Sequence, residues 1–258
     1  MGIYLGSTDL SAASFKLGSS NVSALYQGSN QVWPTAGPWT PPGTPLIYSD
    51  ANDAPSGAGG VWPDKSGNGY DATANGGMTY TSAGDASYFE YNRTAYSHQW
   101  DLGVWTNHAP YSAFSVVAIY NPTFFSNDQQ KILSFYNAGQ WVMQPDFQTA
   151  SAGRTYARNS GGTYSIALAS SGAWTAGSWS MYASIWTGAD IEFYKNTSLI
   201  ATAALTSLGS YGGGSLQTGE PGNRYPLGKL AAVLFYDSAL SGTDLSDIYT
   251  HFSARYGF

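Results

Sequence analysis

Over residues 178–186 the chain reads SWSMYASIW, and its side chains sort by twos: Trp179, Met181, Ala183 and Ile185 on one side, Ser180, Tyr182, Ser184 and Trp186 on the other. A β-strand sends successive side chains to opposite faces, so this spacing predicts a strand whose Met181 side lies in a core. Further strands are expected at AFSVVAIYN (113–121), KILSFYN (131–137), DIEFYKN (190–196), SLIATAAL (198–205) and KLAAVLFYD (229–237). AAVLFY is apolar on both faces and belongs in the middle of a sheet. ADIEFYKNTSLIAT reads as a hairpin that turns near Asn196, Thr197 and Ser198.

One helix is expected, at the end of the chain. Ser241 stands three residues before Asp244, the spacing of a capping box. Leu245, Ile248, Tyr249, Phe252 and Tyr256 then recur at helical spacing, and Gly257 fits a C-cap.

Composition agrees with strands and tight turns. Only 10% of the 258 residues are charged, against about 25% in ordinary soluble domains. Aromatics reach 16%, with twenty Tyr, nine Trp and thirty-one Gly. No cysteine is present, which excludes disulfides and thiolate metal sites. A chain of this length buries roughly three-quarters of its unfolded surface and needs no covalent staples. The net charge is −6 and the ten Lys and Arg are scattered in sequence, which argues against nucleic acid as a partner. No apolar run reaches the roughly 18 to 20 residues of a membrane helix, so no membrane insertion is expected. MGIYLGSTDL lacks a basic stretch before an apolar block and does not read as a secretory leader.

The first 33 residues repeat a short unit. IYLGSTDLSAAS, FKLGSSNVSALY and LYQGSNQVW each place an apolar residue before and after a Gly-Ser pair, with Gly6, Gly18 and Gly28 at the bend. Each unit reads as strand, turn, strand. An isolated hairpin is marginal in water, so the units must stack on each other, on the following domain or on a partner. They form either an extra edge hairpin or, as we favour, an attachment and oligomerisation module through Leu5, Leu17, Tyr26, Val32 and Trp33. WPTAGPWTPPGTP follows, with five prolines in thirteen residues. Proline fixes φ and lacks a ladder donor, so residues 34–45 are expected to be a semi-rigid linker and residues 46–258 the main domain.

The segment GVWPDKSGNGYDAT (60–73) allows two readings. In the simpler one, Asp64 accepts local backbone N–H groups, Asn68-Gly69 makes a tight turn and Trp62 is a buried anchor. In the other, Asp50, Asp53, Asp64 and Asp71 converge on calcium, which takes six to eight oxygens.

Three blocks resemble the laminin-G-like, concanavalin-A-like family: LIYSDANDAPSGAGGVWPDKSGNGYDATANGGMTY, GSWSMYASIWTGADIEFYKNTSLIA and GKLAAVLFYDSALSGTDLSDIYTHFSARYG. Their order and spacing cover residues 46–258. The resemblance implies an all-β, concanavalin-A-like jelly-roll sandwich with one short C-terminal helix, preceded by the small N-terminal β-repeat. It departs from the family at Asn196 to Ser198, where a Gly is usual. The N-terminal repeat also resembles short Gly-Ser repeats at the starts of bacteriophage tail and other virion proteins. That implies a virion location, other virion proteins as partners, self-association (a trimer is expected) and host-surface glycan contact.

Catalytic constellations are weak. Glycoside hydrolases of related sandwiches need two carboxylates across the bond. Asp190 and Glu192 share a strand face, but Gly188 stands where a first carboxylate is wanted, and the chain has only three Glu. His98, His108 and His251 have no helpful ligand spacing, and no Gly-x-Ser-x-Gly elbow occurs. We therefore expect no catalytic residue and no obligatory cofactor, with calcium the one candidate. Tyr182, Trp186 and Tyr194 would share an outward face if their strands pair, and flat aromatics there would stack on sugar rings. A free lectin, with or without calcium, and a glycan-degrading enzyme are the alternatives to the virion protein.

Overall fold

The computed structural model describes residues 16–17, 20–21, 25–27, 30–33, 39–54, 60–75, 78–91, 99–105, 112–123, 130–137, 140–141, 143–149, 152–159, 161–169, 175–208, 214–218 and 227–258. The chain divides into two units, Met1–Thr40 and Pro41–Phe258. In the first, β1 (Lys16–Leu17) pairs antiparallel with β2 (Ser20–Asn21), and β3 (Leu25–Gln27) with β4 (Asn30–Trp33). Each hairpin spans one Gly-Ser pair of the repeat in sequence. Leu5 lies outside the described residues, and so do the side chains of Leu17, Tyr26, Val32 and Trp33.

The second unit runs through β5 (Ile47–Asp50), β6 (Val61–Trp62), β7 (Ala72–Asn75), β8 (Thr79–Thr81), β9 (Tyr88–Tyr91), β10 (Gln99–Trp105), β11 (Phe114–Pro122), β12 (Gln130–Lys131) and β13 (Leu133–Asn137). It continues with β14 (Gln140–Trp141), β15 (Met143–Thr149), β16 (Ala152–Arg158), β17 (Tyr164–Leu168), β18 (Ser180–Trp186), β19 (Asp190–Lys195), β20 (Ser198–Ala204), β21 (Gly214–Thr218), β22 (Gly228–Tyr236) and the helix α1 (Gly242–Tyr256). Among the described residues these strands form three sheets. The eight-stranded one has the order β20-β19-β18-β11-β22-β9-β8, with β5 also on β22. The six-stranded one runs β14-β13-β21-β10-β7-β6, and the four-stranded one β12-β15-β16-β17.

The two smaller sheets cover the inner face of the large one. Against the six-stranded sheet, Phe89 of β9 meets Trp62 and Trp100 at ring-centroid distances of 5.0 and 4.8 Å, and the two Trp rings are 5.5 Å apart. The Tyr91 hydroxyl and the Trp100 backbone N–H both donate to Thr218 Oγ1, at 3.0 and 2.8 Å. Against the four-stranded sheet, the Thr155 hydroxyl of β16 shares a hydrogen bond with the Ser184 hydroxyl of β18. Phe114, Val116, Ala118 and Tyr120 of β11 lie in the same core, with Val233 and Phe235 of β22. As expected from AAVLFY, β22 is central and pairs on both sides.

The alternation in β18 has the opposite sense from the one expected. Tyr182 and Trp186 belong to the sandwich core, while Met181, Ala183 and Ile185 lie on the outer face. All seven residues of β18 are buried, because that outer face is covered too. Ser115, on the same side, accepts from Leu240 N–H (2.9 Å) and donates to the Ser238 carbonyl (2.8 Å), which fixes the approach to α1. The helix then buries Leu245, Ile248, Phe252 and Tyr256. Its capping box is formed: Ser241 Oγ accepts from Asp244 N–H (3.2 Å), and Ser241 N–H donates to Asp244 Oδ2 (2.8 Å). At the other end Gly257 N–H donates to the Ser253 carbonyl at 2.8 Å.

Candidate functional site

The loop at 60–73 is built as a turn around one carboxylate. Asp64 Oδ1 accepts from Tyr48 N–H (3.0 Å) and Ser66 N–H (2.9 Å), and Oδ2 from Ser66 Oγ–H (2.7 Å) and Tyr70 N–H (3.0 Å). Asp71 Oδ1 accepts from Asp64 N–H at 2.8 Å, and Trp62 is fully buried. The remaining calcium candidates are engaged elsewhere. Asp50 receives both Nη groups of Arg255, and Asp53 receives Lys65 Nζ at 2.7 Å. Among the described residues no group of three or more His, Asp or Glu stands together as a metal site. His98 and His108 lie outside the described residues. His251 sits against Arg255, its Nε2 3.0 Å from Nη1.

The register of β18 and β19 separates the three aromatics expected on one face. Ala183 stands opposite Tyr194, and Tyr182 opposite Lys195. Tyr194 therefore projects outward with Asp190 and Glu192, while Tyr182 (1% exposed) and Trp186 (4%) face the core. Trp186 donates its indole N–H to the Leu205 carbonyl at 2.8 Å. The expected shared platform is thus not formed. Adjacent pairing flips a face with a one-residue change of register, and the residues between β18 and β19 set that register.

The outer face of β19 does carry carboxylates. The Tyr194 hydroxyl donates to Glu192 Oε2 at 2.9 Å. Partial burial and then the Glu192 bond push the Tyr194 hydroxyl up to about 12. Gly188, where a third carboxylate would stand, has φ +92°, and a Cβ there would lie 2.7 Å from the Ser112 carbonyl oxygen. That position admits no side chain without a backbone shift, so the missing acid is excluded by packing as well as by sequence.

The four-stranded sheet sets buried and half-buried positive charge beside exposed apolar groups. In β16, Thr155 and Ala157 face the core, so Arg154, Tyr156 and Arg158 face away. Across β17 they stand opposite Leu168, Ile166 and Tyr164. Those three are exposed, Tyr164 at 45% and Leu168 at 52%. Arg158 Nε donates to the Gly162 carbonyl at 2.8 Å, and its guanidinium lies 5.5 Å from the Tyr164 ring centre. Gly162, at φ +85°, passes so close that a Cβ would meet Arg158 Nη2 at 3.0 Å. Behind this pair, Tyr156 meets Tyr164 edge to face at 5.4 Å. Arg154 lies 5.0 Å and Lys131 Nζ 4.4 Å from the Tyr156 ring centre, and Lys131 donates to its hydroxyl at 3.0 Å.

Lys131, Arg154 and Arg158, scattered in sequence, therefore come to one face of the sheet. The signal was present in RTYAR: Arg154, Tyr156 and Arg158 at every second position, followed by a turn and the apolar alternation of TYSIAL.

A family model described as the concanavalin A-like lectin/glucanases superfamily matches residues 94–246. Among solved structures, the receptor-binding domain of a botulinum neurotoxin C/D mosaic serotype is similar at TM-score 0.61 and 10% identity, over 81% of this chain and 51% of that one. Domain 4 of AbnA, a GH43 extracellular arabinanase from Geobacillus stearothermophilus, in complex with arabinotriose, is similar at 0.59 and 13%, over 80% of this chain and 98% of that one. A Trypanosoma rangeli sialidase in complex with the inhibitor DANA is similar at 0.57 and 12%, over 79% and 32%. The chain spans about half the length of the toxin domains it matches. No curated protein matches it in sequence. At these identities the likeness is one of fold.

Proposed function

The chain belongs to the concanavalin A-like lectin/glucanases superfamily, and on that premise we propose that its sandwich is a non-enzymatic carbohydrate-binding domain that holds sugar at β17, the exposed edge strand of the four-stranded sheet. The observation that carries this is the Tyr164–Arg158 pair. An exposed aromatic ring is braced from behind by Tyr156 and flanked by a guanidinium held on the Gly162 carbonyl. The ring offers an apolar plane to the C–H face of a pyranose, and the guanidinium offers donors to its oxygens. Exposed Ile166 and Leu168 extend the apolar strip along the same edge strand.

In the fuller proposal the N-terminal unit attaches the protein, as a trimer, to other proteins of a bacteriophage virion, and the sandwich is displayed for decoration or host-surface contact. The four strands among the described N-terminal residues, two to four residues each, support attachment, since hairpins that short bury too little to stand alone.

The test is retention of the full chain on a glycan array and on insoluble polysaccharides, with reducing-sugar release measured in parallel. Binding without release is expected. Tyr164→Ala should weaken it about tenfold, as loss of an aromatic contact of roughly 1–1.5 kcal/mol requires. Absence of retention on every glycan, or binding indifferent to Tyr164, overturns the proposal.

A further inference from the structure

We propose, resting on the carbohydrate reading above, that the saccharide taken by this face is acidic, and that Arg158 contacts its carboxylate. The four strands of this sheet contain four charged residues: Lys131, Asp146, Arg154 and Arg158. Three cations against one carboxylate leave a net +2, on a chain whose total is −6. Asp146 stands in register with both Lys131 and Arg154, two rows away from Arg158. Arg158 stands instead opposite Tyr164, and among the described residues it forms no ion pair.

The position of Arg158 suits a ligand carboxylate. Its Nε is spent on the Gly162 carbonyl, which holds the guanidinium plane in place. The Nη edge remains for an anion, and a guanidinium fork matches two carboxylate oxygens. Tyr164 lies beside it at the right scale for one sugar ring, so a single residue could stack on the tyrosine and present its carboxylate to the arginine. Lys131, 0% exposed, and buried Arg154 cannot reach the ligand, but they add positive potential from further along the same sheet face. Three cations are too few for the linear phosphate tracking of a nucleic acid, and the neighbouring surface is apolar rather than basic.

Two sources of the same chemistry exist, uronic acids and sialic acids, and matched pairs distinguish them. The full chain would be titrated with an oligogalacturonate and its methyl ester, and with sialyllactose and lactose. In at least one pair the charged member should bind about tenfold more tightly than the neutral one. Arg158→Gln should erase that difference, weakening the charged member well beyond the neutral one, and Arg158→Lys should restore part of it. Raising salt from about 0.05 to 0.5 M should weaken only the charged member. Equal binding of acid and neutral members overturns this inference and leaves the carbohydrate reading standing. Failure to retain either member of any pair overturns this inference, and together with absence of retention across the glycan array, or with tighter binding of a random oligonucleotide, it overturns both.

Discussion

Asp50 and Arg255, 205 positions apart, meet in a two-pronged ion pair: Nη1 to Oδ2 at 2.6 Å and Nη2 to Oδ1 at 3.0 Å. Asp50 ends the first strand of the sandwich and is 2% exposed; Arg255 lies in the last turn of α1. The pair therefore locks the helix to the outer face of the large sheet.

Removing one partner leaves the other charge buried. Arg255→Met should cost about 3–5 kcal/mol, and the double substitution with Asp50→Asn should cost clearly less than the two singles together. Urea unfolding of the four proteins checks this. Additive costs would mean that the pair does not couple helix to sheet.

His251 sits beside that pair. Burial, and then the charge of Arg255, lower its pKa from 6.5 to about 4, against a partial pull upward from Asp50. The unfolded chain therefore takes up this proton near 6.5, while the folded one resists it until about 4. The resulting stability is complete above pH 6.5 and is lost as pH falls toward 4. For a half-buried ring, screened by solvent, the loss is about 1–2 kcal/mol. Unfolding midpoints from pH 7.5 to 4.5 should fall accordingly, and His251→Gln should flatten that part of the decline.

The β19–β20 turn depends on Asn196, which has φ 56°. Its N–H donates to the Met181 carbonyl at 2.7 Å, and its Oδ1 accepts from Met181 N–H at 3.1 Å. Asparagine is one of the few side chains that tolerate this conformation. Asn196→Ala loses both the conformation and a hydrogen bond and should cost about 2 kcal/mol; Asn196→Gly loses only the bond and should cost about 1. Equal costs in chemical denaturation would show that the backbone angle is immaterial.

Tyr182 and Tyr164 should fail in opposite ways. Tyr182 is packed 6.4 Å from Tyr120 inside the core, and Tyr182→Ala should cost about 3–5 kcal/mol. Tyr164→Ala, on the exposed edge strand, should leave the melting temperature within a few degrees. Thermal unfolding followed by aromatic circular dichroism separates them; a large loss of stability in Tyr164→Ala would make that ring structural.

Much of the framework was legible along the chain. The strands β11, β18, β19, β20 and β22 declare themselves by local alternation or an apolar run, and the capping box at Ser241 and Asp244 and the Asp64–Ser66 turn rest on hydrogen bonds within a few residues. The pairing of the short strands between Val61 and Trp105 was not, because they lack a long enough alternation to declare a face.

Local sequence determined that this chain extends into strands, where it turns and where its C-terminal helix begins. Tertiary structure decided which surface each side chain reaches. Alternation divides β18 into two faces but cannot say which one meets the second layer of the sandwich and which one meets α1. Likewise nothing near RTYAR reveals that Lys131 will stand two strands away on the same face. Register and stacking are settled by partners dozens of residues distant, and a slip of one residue exchanges inside for outside.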